Sequence, residues 1–350
     1  MNRFQQFLLV TLGCWGGVCC KPSPQLPLEV SMETMQEVYE RIKTPYKYGV
    51  VFQHSDTTKL VDSPTVFRYD DQWYMSYIVF DGTGYETWLA KSSNLLDWEE
   101  LGKLLSFTKD TWDANQKAGY LALVDTEWGA GNEVHRHAGT YWMSYLGGAT
   151  AGYEAGTLGV GMAKSENLVL AEEWERITSP VLLPGDSPAR WFENDKIYKS
   201  HVIRDEDQLT GYRFVMYYNA KGDTAAYESI GMAGSEDMVN WTRIGEEPVI
   251  TRGEGICGDA QVVKIDDLYV MFYFGAFWKP GAFERFACSY DLLHWTDWEG
   301  EDLVAPSEPY DAVYAHKPWV IRWEGITYHF YNAVGDRGRV IALATSVPLN

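Results

Sequence analysis

Hydrophobic residues along this chain recur in short runs rather than at helical spacing. Beyond roughly the first 25 residues, runs rich in Val, Tyr, Phe and Trp alternate with turns rich in Asp and Gly. No segment sustains an apolar period of about 3.6 residues. Because such runs are typical of strands joined by hairpins, the pattern predicts an all-β protein. Residues 27–45 are the exception, and they predict a short helix or an extended lead-in.

One hairpin template recurs along the sequence. Residues 66–75 align without a gap on 262–271, and residues 134–143 and 320–330 fit the same template. Residues 202–216 fit it with a longer polar turn. Such internal recurrence indicates a repeat architecture.

A second phrase, which begins with Ser and ends in Trp, follows these hairpins. It occurs at 93–98, 235–241 and 289–295, a looser copy spans 165–174, and residues 346–349 begin a fifth. Repeats of about 45–60 residues with about four short strands are typical of propeller blades, which bury their faces by stacking around an axis. The sequence therefore predicts a single-domain five-bladed β-propeller. A β-sandwich would not explain the repeated phrase.

The repeats also predict the boundaries of the blades. They lie near residues 62–110, 125–184, 190–250, 256–305 and 310–350. The last blade is short, so we expect the segment 46–60 to supply its outer strand and close the ring. The sequence then divides into a signal segment (1–25), a lead-in with the ring-closing strand (26–61) and the propeller domain (62–350).

The N-terminus resembles an export signal. Arg3 precedes an apolar run at 7–13 that is too short to span a bilayer stably. Cys14 follows Gly13, as in bacterial lipoprotein signals, so lipidation and plain secretion both stay open. We expect an exported protein in the periplasm or at the cell surface, with membrane attachment only through a lipid anchor.

The protein carries a formal net charge of −20 at pH 7. This charge repels phosphate backbones and anionic headgroups, which argues against nucleic-acid binding. An acidic substrate is also disfavoured unless Lys and Arg cluster in the site. Beyond the signal segment only Cys257 and Cys288 remain, so the core rather than a disulfide framework must hold the fold. The oligomeric state is left open.

Ionisable residues precede the predicted inner strand of each blade, where propeller side chains face the central funnel. They are Asp62, Glu133, His201, Asp259 and the pair His316 and Lys317. Burying these groups together costs roughly several kcal/mol unless they are paired, hydrated or metal-bound, so the concentration indicates a functional site. Hydrolysis of a glycosidic bond needs such carboxylates, one as acid and one as base or nucleophile.

The phrase DSPTV at 62–66, followed by WYM at 73–75, resembles the first blade of glycoside hydrolase family 43 and its relatives in families 32, 62, 117 and 130. Those enzymes are five-bladed propellers. The resemblance implies that Asp62 is the general base. Residues 316–319 and 325–331 resemble blade five of family 117, which implies His316 as the acid and Asp259 as the second carboxylate. Glu193 is the alternative acid, because family 43 carries a Glu on its third blade.

Further residues are candidates for supporting roles. Glu133 could modulate the pKa of a neighbouring group or bind sugar hydroxyls. The candidates for substrate binding are His201, Glu193, Arg190, Trp128, Trp191 and Lys317. The glycine-rich run 147–161 lacks the Lys-Ser/Thr of a phosphate loop and is expected to lie over the funnel. No cofactor is required; ligands for a calcium or a water-bound ion in the channel are available, but no spacing demands a metal.

These observations together favour an exo-acting, inverting glycoside hydrolase that releases a terminal sugar from an oligosaccharide. Two alternatives stay open. The first is a non-catalytic carbohydrate-binding propeller. The second is a family 130-like glycoside phosphorylase, for which Lys317, His316 and Arg337 would hold phosphate.

Overall fold

The computed structural model describes residues 28–223 and 227–349, so the predicted signal segment lies outside the described residues. The described part of the protein starts with the helix α1 (Met32–Ile42) and the strand β1 (Tyr46–Phe52). Ser31 caps the helix, its Oγ accepting a hydrogen bond from the Thr34 amide at 3.2 Å. No helix within the two described ranges combines the length and the apolar character that crossing a bilayer requires.

Strands make up most of the rest, which confirms the all-β prediction. They form five antiparallel units that follow one another in sequence. The first contains β2 (Leu60–Tyr69), β3 (Gln72–Phe80), β4 (Tyr85–Ser92) and β5 (Glu99–Leu105), and the second β6 (Gln116–Leu121), β7 (Tyr141–Gly148), β8 (Gly159–Ser165) and β9 (Glu175–Arg176). The third contains β10 (Lys196–Arg204), β11 (Phe214–Lys221), β12 (Glu228–Ser235) and β13 (Trp241–Arg243).

The fourth unit contains β14 (Ile256–Ile265), β15 (Leu268–Ala276), β16 (Ala282–Ser289) and β17 (Thr296–Asp297). The fifth contains β18 (Tyr314–Trp323), β19 (Ile326–Gly335) and β20 (Gly338–Thr345), with β1 as its outer strand. Short 3-10 helices at Ala171–Glu173 and Pro309–Asp311 lie in the connections.

Single parallel pairs join some units to their neighbours. Tyr85 of β4 pairs with Gln116 of β6, and Glu228 of β12 pairs with Ile256 of β14. The first and second units thus form one sheet, the third and fourth form another, and the fifth is a sheet of its own. In that fifth unit, β1 pairs antiparallel with β20, the outer position expected for the segment 46–60.

The predicted hairpins form in four of the units. Val66 lies opposite Met75, Val202 opposite Met216 and Val262 opposite Met271. In the fifth unit, the pairing of Trp319 with Phe330 places the turn as predicted.

The hairpin predicted at 134–143 is wrong. The partner of β7 is β6, upstream, and Val134 makes only an isolated bridge to Val124. Polar residues disguised β6, since Gln116 and Lys117 are both fully buried in it. Lys117 is tolerated there because its Nζ donates to the Asp113 carbonyl at 2.7 Å.

The recurring Ser…Trp phrase is a turn that ends the third strand of a unit. Ser92 Oγ accepts hydrogen bonds from the amides of Asn94 and Leu95, at 3.2 and 2.9 Å. Leu95 takes a φ of 68°, and its carbonyl accepts from Trp98 Nε1 at 3.1 Å. The same contacts recur in the turns that begin at Ser235 and at Ser289. The first copy therefore begins at Ser92, one residue earlier than the sequence pattern suggested.

The core lies between neighbouring units. Ile321 and Phe330 of the fifth unit pack in one buried cluster with Val66 and Met75 of the first, and Phe52 of β1 joins them. A unit on its own would expose this apolar face, so the units must stabilise one another.

We expect Ser92→Ala to lower the free energy of unfolding by about 1–3 kcal/mol, because it leaves two turn amides without their acceptor. Ser93→Ala is the matched control. Ser93 is exposed, so its substitution should change that free energy by less than about 0.5 kcal/mol. Urea denaturation followed by Trp fluorescence measures both, and equal stabilities of the two variants would contradict the role of Ser92.

Candidate active site

A cavity of about 250 Å³ opens where the first strands of the five units meet. Each unit contributes to its wall: Asp62 from β2, Tyr120 from β6, Lys199 from β10, Asp259 from β14 and Lys317 from β18. Such a convergence of polar side chains in a concave, partly apolar site is typical of ligand pockets.

β-Bulges shape this wall. Four of the five first strands shift register where they reach the cavity, between Asp62 and Thr65, Ile197 and Ser200, Gly258 and Gln261, and His316 and Trp319. The bulges hold Ser63, Asp259 and Lys317 at φ values of 42°, 57° and 62°. A bulge redirects side chains that a regular strand would point elsewhere, and strained backbone of this kind is concentrated at functional sites.

Four of the residues singled out from the sequence line the cavity: Asp62, Asp259, His316 and Lys317. The other six lie elsewhere, and they are Glu133, His201, Glu193, Arg190, Trp128 and Trp191. The bulge in β10 explains the third unit, because it brings Lys199 rather than His201 to the wall.

Asp62 is buried between two cations. Its Oδ2 accepts hydrogen bonds from Lys317 Nζ and from Arg339 Nη1, both at 2.9 Å. Burial by itself raises the pKa of Asp62, but Lys317 and Arg339 outweigh it and hold the pKa well below its usual range. Asp62 is therefore a permanently ionised group whose charge is already matched.

Asp259 and Lys199 form a second, looser ion pair. Asp259 Oδ2 accepts from Ser63 Oγ at 3.2 Å and lies 3.8 Å from Lys199 Nζ. Burial lowers the pKa of Lys199, and the charge of Asp259 opposes that shift. Lys199 Nζ has no hydrogen-bond partner among the described residues, so it remains available to a ligand.

His316 is a neutral ring at physiological pH. Burial, reinforced by the Lys317 charge, lowers the pKa of His316 to about 3. Its Nδ1 lies 3.1 Å from the Asn332 carbonyl, which fixes Nδ1 as the protonated nitrogen of the neutral ring. A ring in this state accepts a hydrogen bond through Nε2 and is poorly suited to protonate a leaving group.

Two further carboxylates, missed from the sequence, line the cavity: Glu154 and Glu228. Glu228 begins β12, and its Oε2 accepts from Asn219 Nδ2 at 2.9 Å. Burial raises the pKa of Glu228 to about 7, and the charge of Glu154 adds to the shift. Glu154 Oε1 accepts from the Tyr85 hydroxyl at 3.5 Å. The glycine-rich run 147–161 was the signal that could have identified Glu154, whereas nothing in the repeat marks Glu228.

Glu193, the alternative acid, belongs to a buried structural network. Arg190 donates to it from Nε and Nη2, at 2.8 and 2.7 Å, and the Tyr218 hydroxyl donates at 2.6 Å. Hydrogen bonding to Arg190 and Tyr218 outweighs the effect of burial and lowers the pKa of Glu193. A carboxylate enclosed in this way has no free oxygen for a substrate.

The remaining sequence candidates are also outside the cavity. Glu133 is exposed, because the true inner strand of its unit is β6. Trp128 and His201 line a separate, smaller cavity. Trp191 is 40% exposed and donates from Nε1 to Glu247 at 3.0 Å.

The cavity combines acidic and basic groups in nearly equal number. Its carboxylates are Asp62, Glu154, Glu228 and Asp259, and its cations are Lys199, Lys317 and Arg339. The cluster of cations is notable in a protein of net charge −20. Within residues 28–223 and 227–349, no three His, Cys, Asp or Glu side chains come together as a metal site. The arrangement supplies a proton donor and fixed charges around a small ligand.

Two solved structures resemble this chain over almost its whole length. One is described as a complex of BT0996 with RGII and the other as a glycoside hydrolase; each is 45% identical to the chain, covers 92% of it over 97% of its own length, and has a TM-score of 0.89. A thermostable family-43 glycoside hydrolase shares the fold at 16% identity, with 87% of this chain and 96% of that one covered and a TM-score of 0.62. Neither a protein-family model nor a curated protein sequence matches the chain.

We expect Asp62→Asn to lower the free energy of unfolding at pH 7 by about 3–5 kcal/mol, because it leaves two buried cations without their counter-charge. The folded-state pKa of Asp62 is depressed, so its stabilisation is present at neutral pH and is lost as the pH falls below about 4. The gap between the variant and the wild type should therefore narrow at acidic pH.

Asp71→Asn is the control for this measurement. Asp71 also pairs with an arginine, Arg68, at 3.2 Å, but its side chain is 99% exposed. Its substitution should change the free energy of unfolding by less than about 1 kcal/mol. Urea denaturation at pH 7 and at pH 3 measures both variants, and a gap for Asp62→Asn that does not depend on pH would contradict the depressed pKa.

Proposed function

This protein belongs to the glycoside hydrolase family of its 45%-identical relatives, and from this premise we propose that it is an exo-acting glycosidase with Glu228 as the acid. The resemblance to propeller glycoside hydrolases, predicted from the repeats, is confirmed by these relatives and by the family-43 fold. The raised pKa of Glu228, in a cavity with three other carboxylates, is the observation that carries the assignment of the acid.

The fold that we propose for this enzyme is a five-bladed propeller. Each of the five antiparallel units would be one blade, with its first strand innermost. The cavity supports this arrangement, since all five first strands contribute to its wall. The pairing of β1 with β20 would then close the circle.

The size of the cavity supports exo action. Its volume of about 250 Å³ falls below the roughly 300–1,000 Å³ of pockets that take drug-sized ligands. A single terminal sugar suits such a space, whereas the interior of a polysaccharide would need an open cleft. The neighbouring Lys199 and His316 Nε2 offer a donor and an acceptor for its hydroxyls.

Glu228 has the pKa that a general acid requires. With a pKa of about 7 it holds its proton at and below neutral pH, and it can give that proton to the departing glycosidic oxygen. The acid roles proposed for His316 and Glu193 are weaker, because the His316 ring is neutral and the Glu193 carboxylate is enclosed by arginines.

Glu154 is the better candidate for the second carboxylate. It is half-buried at the cavity, close enough to raise the pKa of Glu228, and its one hydrogen bond is the long contact to Tyr85. Asp62, the base implied by family resemblance, has its charge committed to Lys317 and Arg339. We assign Asp62 to the positioning of those cations and Glu154 to the activation of water or to nucleophilic attack.

Inversion of configuration is carried over from the family resemblance and stays a prediction. Inverting enzymes separate their carboxyl groups by about 6.5–9.5 Å to admit a water, and retaining enzymes by about 5–5.5 Å. Proton NMR of the first product released distinguishes the two outcomes directly.

The substrate that we propose is an oligosaccharide of the RGII type. One 45%-identical relative was solved as a complex with RGII. The phosphorolytic alternative gains no support, because Arg337 lines a different pocket from Lys317 and His316.

We expect Glu228→Gln to lower kcat on an RGII oligosaccharide by at least about a hundredfold, because the leaving oxygen then departs unprotonated. The loss on a 4-nitrophenyl glycoside of the released sugar should stay below about tenfold, since nitrophenolate leaves without a proton. Glu154→Gln should lose at least about a hundredfold on both substrates. Product chromatography, with and without phosphate, measures the release.

Glu133→Gln is the control for both variants, because Glu133 is exposed and outside the cavity. It should keep its activity within about twofold. Equal losses of Glu228→Gln on the two substrates would contradict its role as the acid, and release of a sugar phosphate would establish the phosphorylase.

The pH profile tests the acid independently. Glu228 must be protonated, so the wild-type kcat/KM should fall as the pH rises above about 7. The residual activity of Glu228→Gln should lack this alkaline limb. An alkaline limb that persists unchanged in the variant would assign the ionisation to another group.

A further inference from the structure

Phe277 is an exposed aromatic side chain at the edge of the cavity. It lines the cavity, yet it is 65% exposed, whereas most of the other lining residues are buried. Phe277 follows the last residue of β15, at the start of the turn 277–281. An apolar ring left in water at the entrance of a polar site requires an explanation beyond packing.

The backbone at Phe277 is also unusual. Its φ of 67° lies in the left-handed region, where a bulky side chain is an outlier. Glycine or asparagine would adopt this conformation with less strain. The strain and the exposure both act against a phenylalanine at this position, so neither the stability of the turn nor the core accounts for it.

The next residue holds the turn in place. Trp278 Nε1 donates to the Ile256 carbonyl at 3.1 Å, and its ring packs edge-on against Phe283 at 4.7 Å. A Cβ added at Gly255 or at Gly275 would lie 2.7 or 2.4 Å from Trp278 atoms, so both glycines are required for its seat. This anchor fixes the direction in which Phe277 projects.

Phe277 is connected to the cavity wall by aromatic contacts. Its ring meets Tyr314 edge-on, with centroids 6.2 Å apart, and Tyr314 in turn lies 5.5 Å from the ring of His316. Phe277, Tyr314 and His316 therefore form a continuous aromatic edge from the entrance to the wall. Sugars present apolar C–H faces that stack on such rings.

We propose that Phe277, supported by Tyr314, is a specificity-determining platform for the sugar next to the one that is cleaved. The inference rests on the proposed function: if the terminal sugar fills the cavity, the following sugar must lie at its entrance. Phe277 would then select extended oligosaccharides over short glycosides, without touching the reacting atoms.

The test compares two substrates of different length. An RGII oligosaccharide reaches the platform, whereas the methyl glycoside of the released sugar fills only the cavity. We expect Phe277→Ala to lower kcat/KM on the RGII oligosaccharide by about tenfold, mainly through KM, and to change it less than twofold on the methyl glycoside. Phe277→Trp should keep most of the activity on both.

Two further variants separate the ring from the backbone and from the surface. Phe277→Gly removes the ring and relieves the strain, so it should lose as much as Phe277→Ala. Leu101→Ala is the control, because Leu101 is 44% exposed on β5 and lies outside the cavity. An unchanged KM for the RGII oligosaccharide in Phe277→Ala, equal losses on both substrates, or full activity of Phe277→Gly would overturn the proposal.

Failure of the proposed function gives a different result. If the wild type releases no sugar from either substrate, calorimetric binding of the RGII oligosaccharide replaces the kinetic assay. A Kd that is about tenfold weaker in Phe277→Ala but not in Leu101→Ala would still support the platform. An equal Kd in both variants, or no binding by the wild type, would overturn it.

Discussion

The ion cluster around Asp62 is the constraint on which the cavity depends. Asp62 lies in the first antiparallel unit, and its partners Lys317 and Arg339 lie in the last. The contacts span 255 and 277 residues, so they form only when the first and last units have come together. Removing the carboxylate would leave two buried cations, which is more costly than losing the hydrogen bonds. The site and the closure of the fold are therefore one electrostatic problem.

The same cluster reaches the loop above the cavity. Arg339 Nη2 donates to the Tyr153 hydroxyl at 3.2 Å, and Tyr153 is the neighbour of Glu154 in the glycine-rich run. Tyr153 also packs edge-on against Phe80 and Tyr85. Asp62 is thus connected through one arginine to the segment that carries a second carboxylate. A carboxylate in the strand can organise charge without taking part in proton transfer.

The pKa values in the cavity follow from unequal pairing. Asp62 has two cations within hydrogen-bond distance, whereas Glu228 has an amide and a nearby carboxylate. Burial acts on both in the same direction, so the partners decide which one keeps its proton. One cavity therefore holds an ionised and a protonated carboxyl at the same pH, as glycoside hydrolysis requires.

The sequence by itself determined the strand content, four of the five hairpins and the position of Asp62, Asp259, His316 and Lys317 near the site. These features are local or repeated, so the two-residue alternation of strands and the Ser…Trp turns reveal them. The tertiary structure decided the rest. Bulges choose which side chain of a strand enters the cavity, and Glu228 becomes an acid only through burial beside a loop some 70 residues away. Such effects depend on distance in space, which no local pattern encodes.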